Sequence, residues 1–278
     1  MTEHDHQDGG FHLDLGRLQR RRAMLGLLAA GGVGAALWAF GRPAGGSEPN
    51  LSALGPDGSQ CLKLPEETAG PYPGDGSNRL DGATVNVLTE EGILRRDLRS
   101  GLGGQGPATD GVLLDLELAL VDVTNACKPL AGHAVYLWHC DAAGVYSIYG
   151  DTTATWLRGM QEGDAAGVVR FTTIFPGTYE GRWPHLHFEV FPSATAAVSG
   201  RAALLTSQIA LPSDAAAAIY AADARYEASR GPFSRVSLTG DNIFGDNTPE
   251  QRAAQTLVLT GDATRGPTGR VTIGLQPG

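Results

Sequence analysis

Val112-Leu113-Leu114-Asp115-Leu116-Glu117-Leu118-Ala119-Leu120-Val121 decides the fold class. Val112, Leu114, Leu116, Leu118 and Leu120 alternate with Leu113, Asp115, Glu117, Ala119 and Val121. Successive side chains of a strand point to opposite faces, so this run buries one apolar face and turns a mixed face outward. Downstream, Lys128-Pro129-Leu130-Ala131-Gly132 reads as a turn, and Ala134 to Cys140 as a second strand. Asp141-Ala142-Ala143-Gly144 is again turn chemistry. Val168 to Phe175, closed by Pro176-Gly177, is a third strand and His185 to Phe191 a fourth. Later strands are expected at Ile209, Val236 to Leu238, Leu257 to Leu259 and Val271 to Ile273. About one helix is expected, with Ser213 as its cap and an Ala-rich body from Asp214 to Ser229, ahead of Gly231. Short strands punctuated by turns predict a mainly β chain. The expected architecture is a single β-sandwich with prealbumin- or immunoglobulin-like layers and long irregular segments.

The whole chain has 278 residues, 42% of them hydrophobic, which is enough for one sizeable core. Its 39 glycines favour turns over long helices. A net charge of -9 argues against nucleic acid or an anionic membrane surface as partner. Three parts are expected: a leader over 1–46, an irregular wrapping segment over 47–110 and the sandwich over 111–278, with 47–278 forming one unit. In the leader, Arg20-Arg21-Arg22-Ala23-Met24-Leu25 stands just before an apolar stretch from Leu25 to Phe40. That stretch is interrupted by Gly31, Gly32 and Gly34 and is shorter than the roughly 20 residues a membrane span needs. It looks like a twin-arginine export signal, which implies an extracytoplasmic or secreted protein with no stable membrane span after processing. Left uncleaved, the same stretch would be an anchor. Outside the cytoplasm two of Cys61, Cys127 and Cys140 could pair, leaving one over, and spacing does not say which.

The strongest local chemical signal is His185-Leu186-His187. Residues i and i+2 of a strand share a face, so two imidazoles can reach one metal ion while Leu186, Phe188 and Val190 face the core. His-x-His occurs in zinc, copper and iron sites on unrelated folds. Glu189, one step further on the same face, would complete a two-histidine, one-carboxylate set. Tyrosine is another ligand class: a phenolate is a hard anionic donor whose pKa near 10 calls for a strongly polarising cation, a task iron(III) performs far better than zinc.

Three stretches together resemble the intradiol ring-cleavage dioxygenases. They are Val135-Tyr136-Leu137-Trp138-His139-Cys140 through Tyr146, Phe171-Thr172-Thr173-Ile174-Phe175-Pro176-Gly177-Thr178-Tyr179, and Arg182-Trp183-Pro184-His185-Leu186-His187-Phe188. Pro65-Glu66-Glu67-Thr68-Ala69-Gly70-Pro71-Tyr72 is similar to a segment that precedes them in that family. The resemblance implies an iron(III) ion held by Tyr146, Tyr179, His185 and His187, with Arg182 and Gln208 stabilising charge on the substrate. It also implies a catechol-type aromatic substrate, O2 as co-substrate and a cis,cis-muconate-type product. Tyr149 competes with Tyr146 on sequence grounds, His139 reads as a structural strand histidine, and Trp138 as a core filler. A homodimer is compatible with the family, although the long helical dimerisation segment of its best-known members has no counterpart ahead of this sandwich. Two other readings stay open. One is an exported, non-enzymatic β-sandwich binding module. The other is a zinc or iron(II) enzyme built on His185, His187 and Glu189, with both tyrosines away from the metal.

Overall fold

The structure is a computed structural model that describes residues 51–277 apart from Asp57 and Ser59; the expected leader over 1–46 lies outside the described residues. Residues 51–110, read above as mostly irregular, carry two hairpins. β1 (Ser52–Leu54) pairs with β2 (Gln60–Leu62), and β3 (Asp75–Leu80) pairs with β4 (Ala83–Asn86). β3 reads Asp-Gly-Ser-Asn-Arg-Leu and has no apolar alternation. What closes the second hairpin is Asp81-Gly82, both residues at positive φ (49° and 82°), the twist a two-residue hairpin loop needs.

Two sheets form the sandwich. β5 (Leu113–Asp122) is the alternating run, and it pairs antiparallel with β6 (Lys128–Pro129) and with β9 (Val168–Ile174) on one edge. On its other edge lies β13 (Thr268–Leu275) in parallel register, followed by β12 (Val258–Thr260). The second sheet runs β11 (Leu205–Ala210), β10 (His185–Phe191), β7 (Ala134–Trp138), β8 (Arg158–Glu162), all antiparallel. Leu114, Leu116, Leu118 and Leu120 meet Val135, Leu137, Leu186, Phe188 and Val190 in one core between the sheets. Burying these side chains is the main source of stability, each worth about 1.5–3 kcal/mol.

The second sheet is covered on its outer face too. Tyr136, Trp138, Tyr146, Met160, Leu88 and Ile93 form a separate cluster there, so β7 and β10 are buried throughout. The wrapping segment provides that cover: Arg95 N–H donates to Met160 O, and Val87 and Leu88 pack into the cluster.

The helix content departs from the sequence reading. Four α-helices are present among the described residues: α1 (Ala194–Val198), α2 (Ser213–Ala222), α3 (Glu227–Ser234) and α4 (Pro249–Gln255). The single helix expected over Asp214 to Ser229 is split between α2 and α3. Asp223, extended at φ -112° and ψ 120°, breaks it and caps the next turn through Arg225 N–H. Buried Tyr226 fixes the break, donating to Phe175 O and accepting from Val112 N–H. Ser213 is inside α2 and makes no cap bond; Pro212 holds the N-cap position. Val236 to Leu238 is not a strand, because it leaves α3 straight into a turn in which Gly240 and Asp241 N–H groups bond Ser237 O. β8 was missed because buried Arg158 hides its apolar face.

Cys61 and Cys127 form a disulfide and Cys140 stays a buried free thiol. The bond joins β2 to the turn after β5 across 66 residues, a closure worth about 4 kcal/mol in the chain-entropy view. No helix among the described residues is long and apolar enough to cross a membrane.

Candidate active site

His185 and His187 lie on β10, paired with Ala210 and Gln208 of β11, and His187 also with Trp138 of β7. The strand alternation places both imidazoles on the outer face while Leu186, Phe188 and Val190 enter the inter-sheet core, as expected. Their Nε2 atoms are 3.0 Å apart. His185 Nδ1 bonds Trp183 O at 2.5 Å, so its proton sits there and Nε2 offers a lone pair. The His187 ring is stacked on Trp138, with centroids 5.0 Å apart and planes 7° from parallel, so Trp138 packs directly against the site. Burial pushes both histidines down, His185 to about 3, and Arg182 adds to the effect; both are neutral at ordinary pH.

Two loops bring the tyrosines. After β7, Asp141 accepts from Ala143 and Val145 N–H and shapes the turn that leads to Tyr146. Arg158 then bonds the hydroxyl and carbonyl of Ser147, fixing the next residue. After β9, Gly177 N–H bonds Asp141 O, tying the second loop to the first. A Cβ on Gly144 would come 2.6 Å from Thr178 O, and Gly144 also has φ +86°, so only glycine lets the loops press together there.

The phenol oxygen of Tyr146 lies 3.0 Å from His187 Nε2 and 3.5 Å from His185 Nε2, and that of Tyr179 lies 3.5 Å from His185 Nε2. Separations of 3.5 Å are long for hydrogen bonds. They suit ligands of a shared ion: donors about 2.1 Å from one transition metal and at right angles stand about 3.0 Å apart. Two imidazole nitrogens and two phenol oxygens therefore make a fitting donor set for a hard, highly charged cation. Burial raises the Tyr146 phenol well above its ordinary value, so its ionisation requires such a cation. Tyr146 is buried, whereas Tyr179 is half-exposed.

Tyr149 stands apart. Its hydroxyl accepts from Gly74 N–H and exchanges hydrogen bonds with Asn78, so it braces β3 and not the cluster. His139 is structural, held by Cys140 O and Thr173 Oγ1. Tyr72 lies between Tyr146 and Tyr149, with ring centroids 5.1 and 4.9 Å away. The three-ligand set of His185, His187 and Glu189 is not assembled: among the described residues no group of three His, Cys, Asp or Glu side chains is placed to hold a metal. Glu189 accepts from Thr206 Oγ1 instead. The tyrosines, which that reading put elsewhere, are at the histidines.

Arg182 is wholly buried. Its Nε donates to Asp241 Oδ2 at 3.0 Å, and one terminal nitrogen donates to Gln208 Oε1 at 2.6 Å. Gln208 Nε2 donates in turn to Thr68 O at 2.9 Å. Asp241 was not found from sequence: it is one acidic residue in a turn, with no spacing relation to the histidines. Glu67, also missed, is buried beside Asn247, whose amide donates to its Oε1.

The family profile described as Dioxygenase matches residues 108–225. Among solved structures, an intradiol ring-cleavage dioxygenase from Tetranychus urticae is 23% identical, with a TM-score of 0.59 over 78% of this chain and 96% of that one. A dioxygenase designated Tetur07g02040 is 24% identical, with the same TM-score and coverage. The dioxygenase domain of a dioxygenase–carbohydrate-binding fusion from Streptomyces sp. SirexAA-E is 23% identical, at TM-score 0.48 over 78% and 99% of the two chains. No curated protein matches the sequence.

Proposed function

We propose that this chain is an intradiol ring-cleavage dioxygenase, a reading that the Dioxygenase profile over residues 108–225 and the fold shared with such an enzyme support, and that it holds one iron(III) ion through Tyr146, Tyr179, His185 and His187. With it the protein inserts both atoms of O2 into a catechol-type ring, giving a cis,cis-muconate-type product. The observation that carries this reading is the convergence of four donors from two loops and one strand, in which Tyr146, Tyr179 and His187 each lie 3.0–3.5 Å from His185 Nε2 and Tyr146 lies 3.0 Å from His187 Nε2. Iron(III), when bound, acidifies the two adjacent hydroxyls of a catechol and makes the ring electron-rich enough to react with dioxygen.

The side chains divide the remaining work. Tyr179, the half-exposed phenol, is the one able to swing from the cluster and take a proton from an incoming hydroxyl. Tyr146 is fixed by its buried loop and stays. Arg182 offers a preorganised positive charge to the ring carbon that turns negative, a type of donor worth about 3–4 kcal/mol in other enzymes. Both ends of the Gln208 amide are engaged, with Arg182 and with Thr68, so Gln208 acts by holding the guanidinium. The outer cluster around Trp138 keeps water from the imidazoles.

Metal analysis, a visible spectrum and oxygen uptake on a panel of catechols test the reading together. A coloured ferric protein that consumes one O2 per catechol is expected. Iron-loaded protein with no tyrosinate-to-iron band and no oxygen uptake would overturn it. The arginine cluster at Arg20–Arg22 also supports export by the twin-arginine route. Fusing residues 1–46 to a folded reporter tests that, and a reporter retained in the cytoplasm rules it out.

A further inference from the structure

We propose that Asp241 is a positioning residue whose single carboxylate fixes both the guanidinium of Arg182 and, through the backbone of Trp183, the ring of His185. The inference rests on the dioxygenase reading of the site.

Asp241 is 1% exposed, and its carboxylate accepts from three backbone N–H groups and from buried Arg182. Oδ1 accepts from Ile243 N–H at 2.8 Å and Phe244 N–H at 3.1 Å, within its own turn. That turn is closed by Asp241 N–H to Ser237 O and by Gly245 N–H to Asp241 O. With Oδ1 held, the carboxylate cannot rotate, and Oδ2 points at two targets. One is Arg182 Nε at 3.0 Å; the other is Trp183 N–H at 2.7 Å. From Arg182 the path runs to Gln208 and Thr68. From Trp183 it runs through the carbonyl that takes His185 Nδ1, while the indole N–H is anchored on Leu211 O.

A purely structural account explains less. Replacing a buried ion pair by apolar groups of similar volume is often neutral or stabilising, so packing gives little reason for Arg182 and Asp241 to be here. Directional work does. A guanidinium is held in one orientation when Nε and a terminal nitrogen each meet a fixed acceptor. A histidine ligand keeps its tautomer when its other nitrogen meets a fixed carbonyl. Asp241 supplies the first, and it anchors the N–H of the residue whose carbonyl supplies the second. It lies outside the matched residues 108–225, in a turn that no local pattern marks.

The test uses D241N in the full chain, with R182Q and the double variant. In metal-free protein labelled with nitrogen-15 at arginine and histidine, native Arg182 Nε–H and His185 Nδ1–H should exchange slowly. D241N should speed both by about tenfold or more. In iron-loaded protein D241N should keep its iron, shift the visible band, and lose about 10- to 100-fold in kcat with KM within about threefold, the range for groups that orient metal ligands. The double variant should lose clearly less than the product of the single losses, because both act through one guanidinium. Unchanged exchange in D241N, or full additivity with R182Q, overturns the proposal. Should D241N fail to accumulate, D241E keeps the charge but displaces the carboxylate by one methylene; a folded D241E with native kcat and exchange also overturns it. A native protein that takes up no oxygen sinks the dioxygenase reading alone, since the exchange measurement needs neither iron nor turnover.

Discussion

Tyr146 and Tyr179 hold their rings 5.9 Å apart and edge to face, on two loops that touch at Gly144 and Thr178. They share a cluster but not an environment: one is buried, the other only partly so. That asymmetry gives the two phenols different parts to play, and it can be measured.

Tyr179→Phe should keep much of the iron and shift or bleach the visible band. Tyr146→Phe, which removes the buried phenol 3.0 Å from His187, should lose most of the iron. Tyr149→Phe should leave both quantities at native levels, because its hydroxyl serves Gly74 and Asn78. Metal analysis and visible absorption on the three purified variants decide; equal spectra for Tyr179→Phe and native protein would remove Tyr179 from the ligand set.

Arg182→Ala should damage stability and turnover together. It strands the Asp241 carboxylate in a fully buried position, and breaking a buried pair costs about 3–5 kcal/mol. Loss of the guanidinium should also lower kcat about 100- to 1000-fold, as removal of one preorganised donor does elsewhere. Urea unfolding and steady-state kinetics check the two effects separately. A variant of native stability would mean that Asp241 is not left unpaired.

Glu67 should make stability fall with rising pH. Burial pushes its carboxyl up to about 7 from 4.5, against the hydrogen bonds of Asn247 and Gln255 and the charge of Arg182. The folded chain thus binds a proton that the unfolded chain releases. Its stabilising contribution is complete below pH 4.5 and is lost as pH rises through about 7, to a total of about 3 kcal/mol. Glu67→Gln keeps an uncharged acceptor for Asn247 and should flatten that slope. Denaturation midpoints at pH 5 and pH 8 should therefore diverge less in the variant; parallel profiles would show that Glu67 is not the titrating group.

Replacing both Cys61 and Cys127 by serine should cost about 2–5 kcal/mol and free the hairpin β1–β2 first. Hydrogen exchange of the Ser52–Leu62 pairs reads this locally. Exchange that stays native there would assign the hairpin's order to its contacts with β13, among them the bridge from Lys63 to Gly274.

Much of the sandwich was legible because its decisive signals are periodic. Leu114 through Leu120 alternate over a full strand, and His185 and His187 share a face for the same reason. The proposed ligand quartet came from resemblance, and the fold brings all four side chains together. What escaped was governed by contacts distant in sequence. The helix break at Asp223 depends on where the Tyr226 hydroxyl finds partners, on Phe175 and Val112. β8 is buried by a guanidinium that meets Pro73 O and Ser147, so its composition gave no warning. Asp241 acquires meaning only when its turn is laid against Arg182. The Asp81-Gly82 turn and the Thr248/Gln251 capping box of α4 were, by contrast, readable local signals that the wrapping and tail segments hid among other polar residues.

β13 is parallel to β5, and Thr268 is the partner of Asp115. The first long strand of the sandwich thus waits on the ribosome for a neighbour made some 150 residues later, its backbone groups open along that side in the meantime. The two tyrosine loops and the histidine strand β10 all emerge before that partner does. The candidate site is therefore complete in sequence while the sheet behind it still lacks its last long strand.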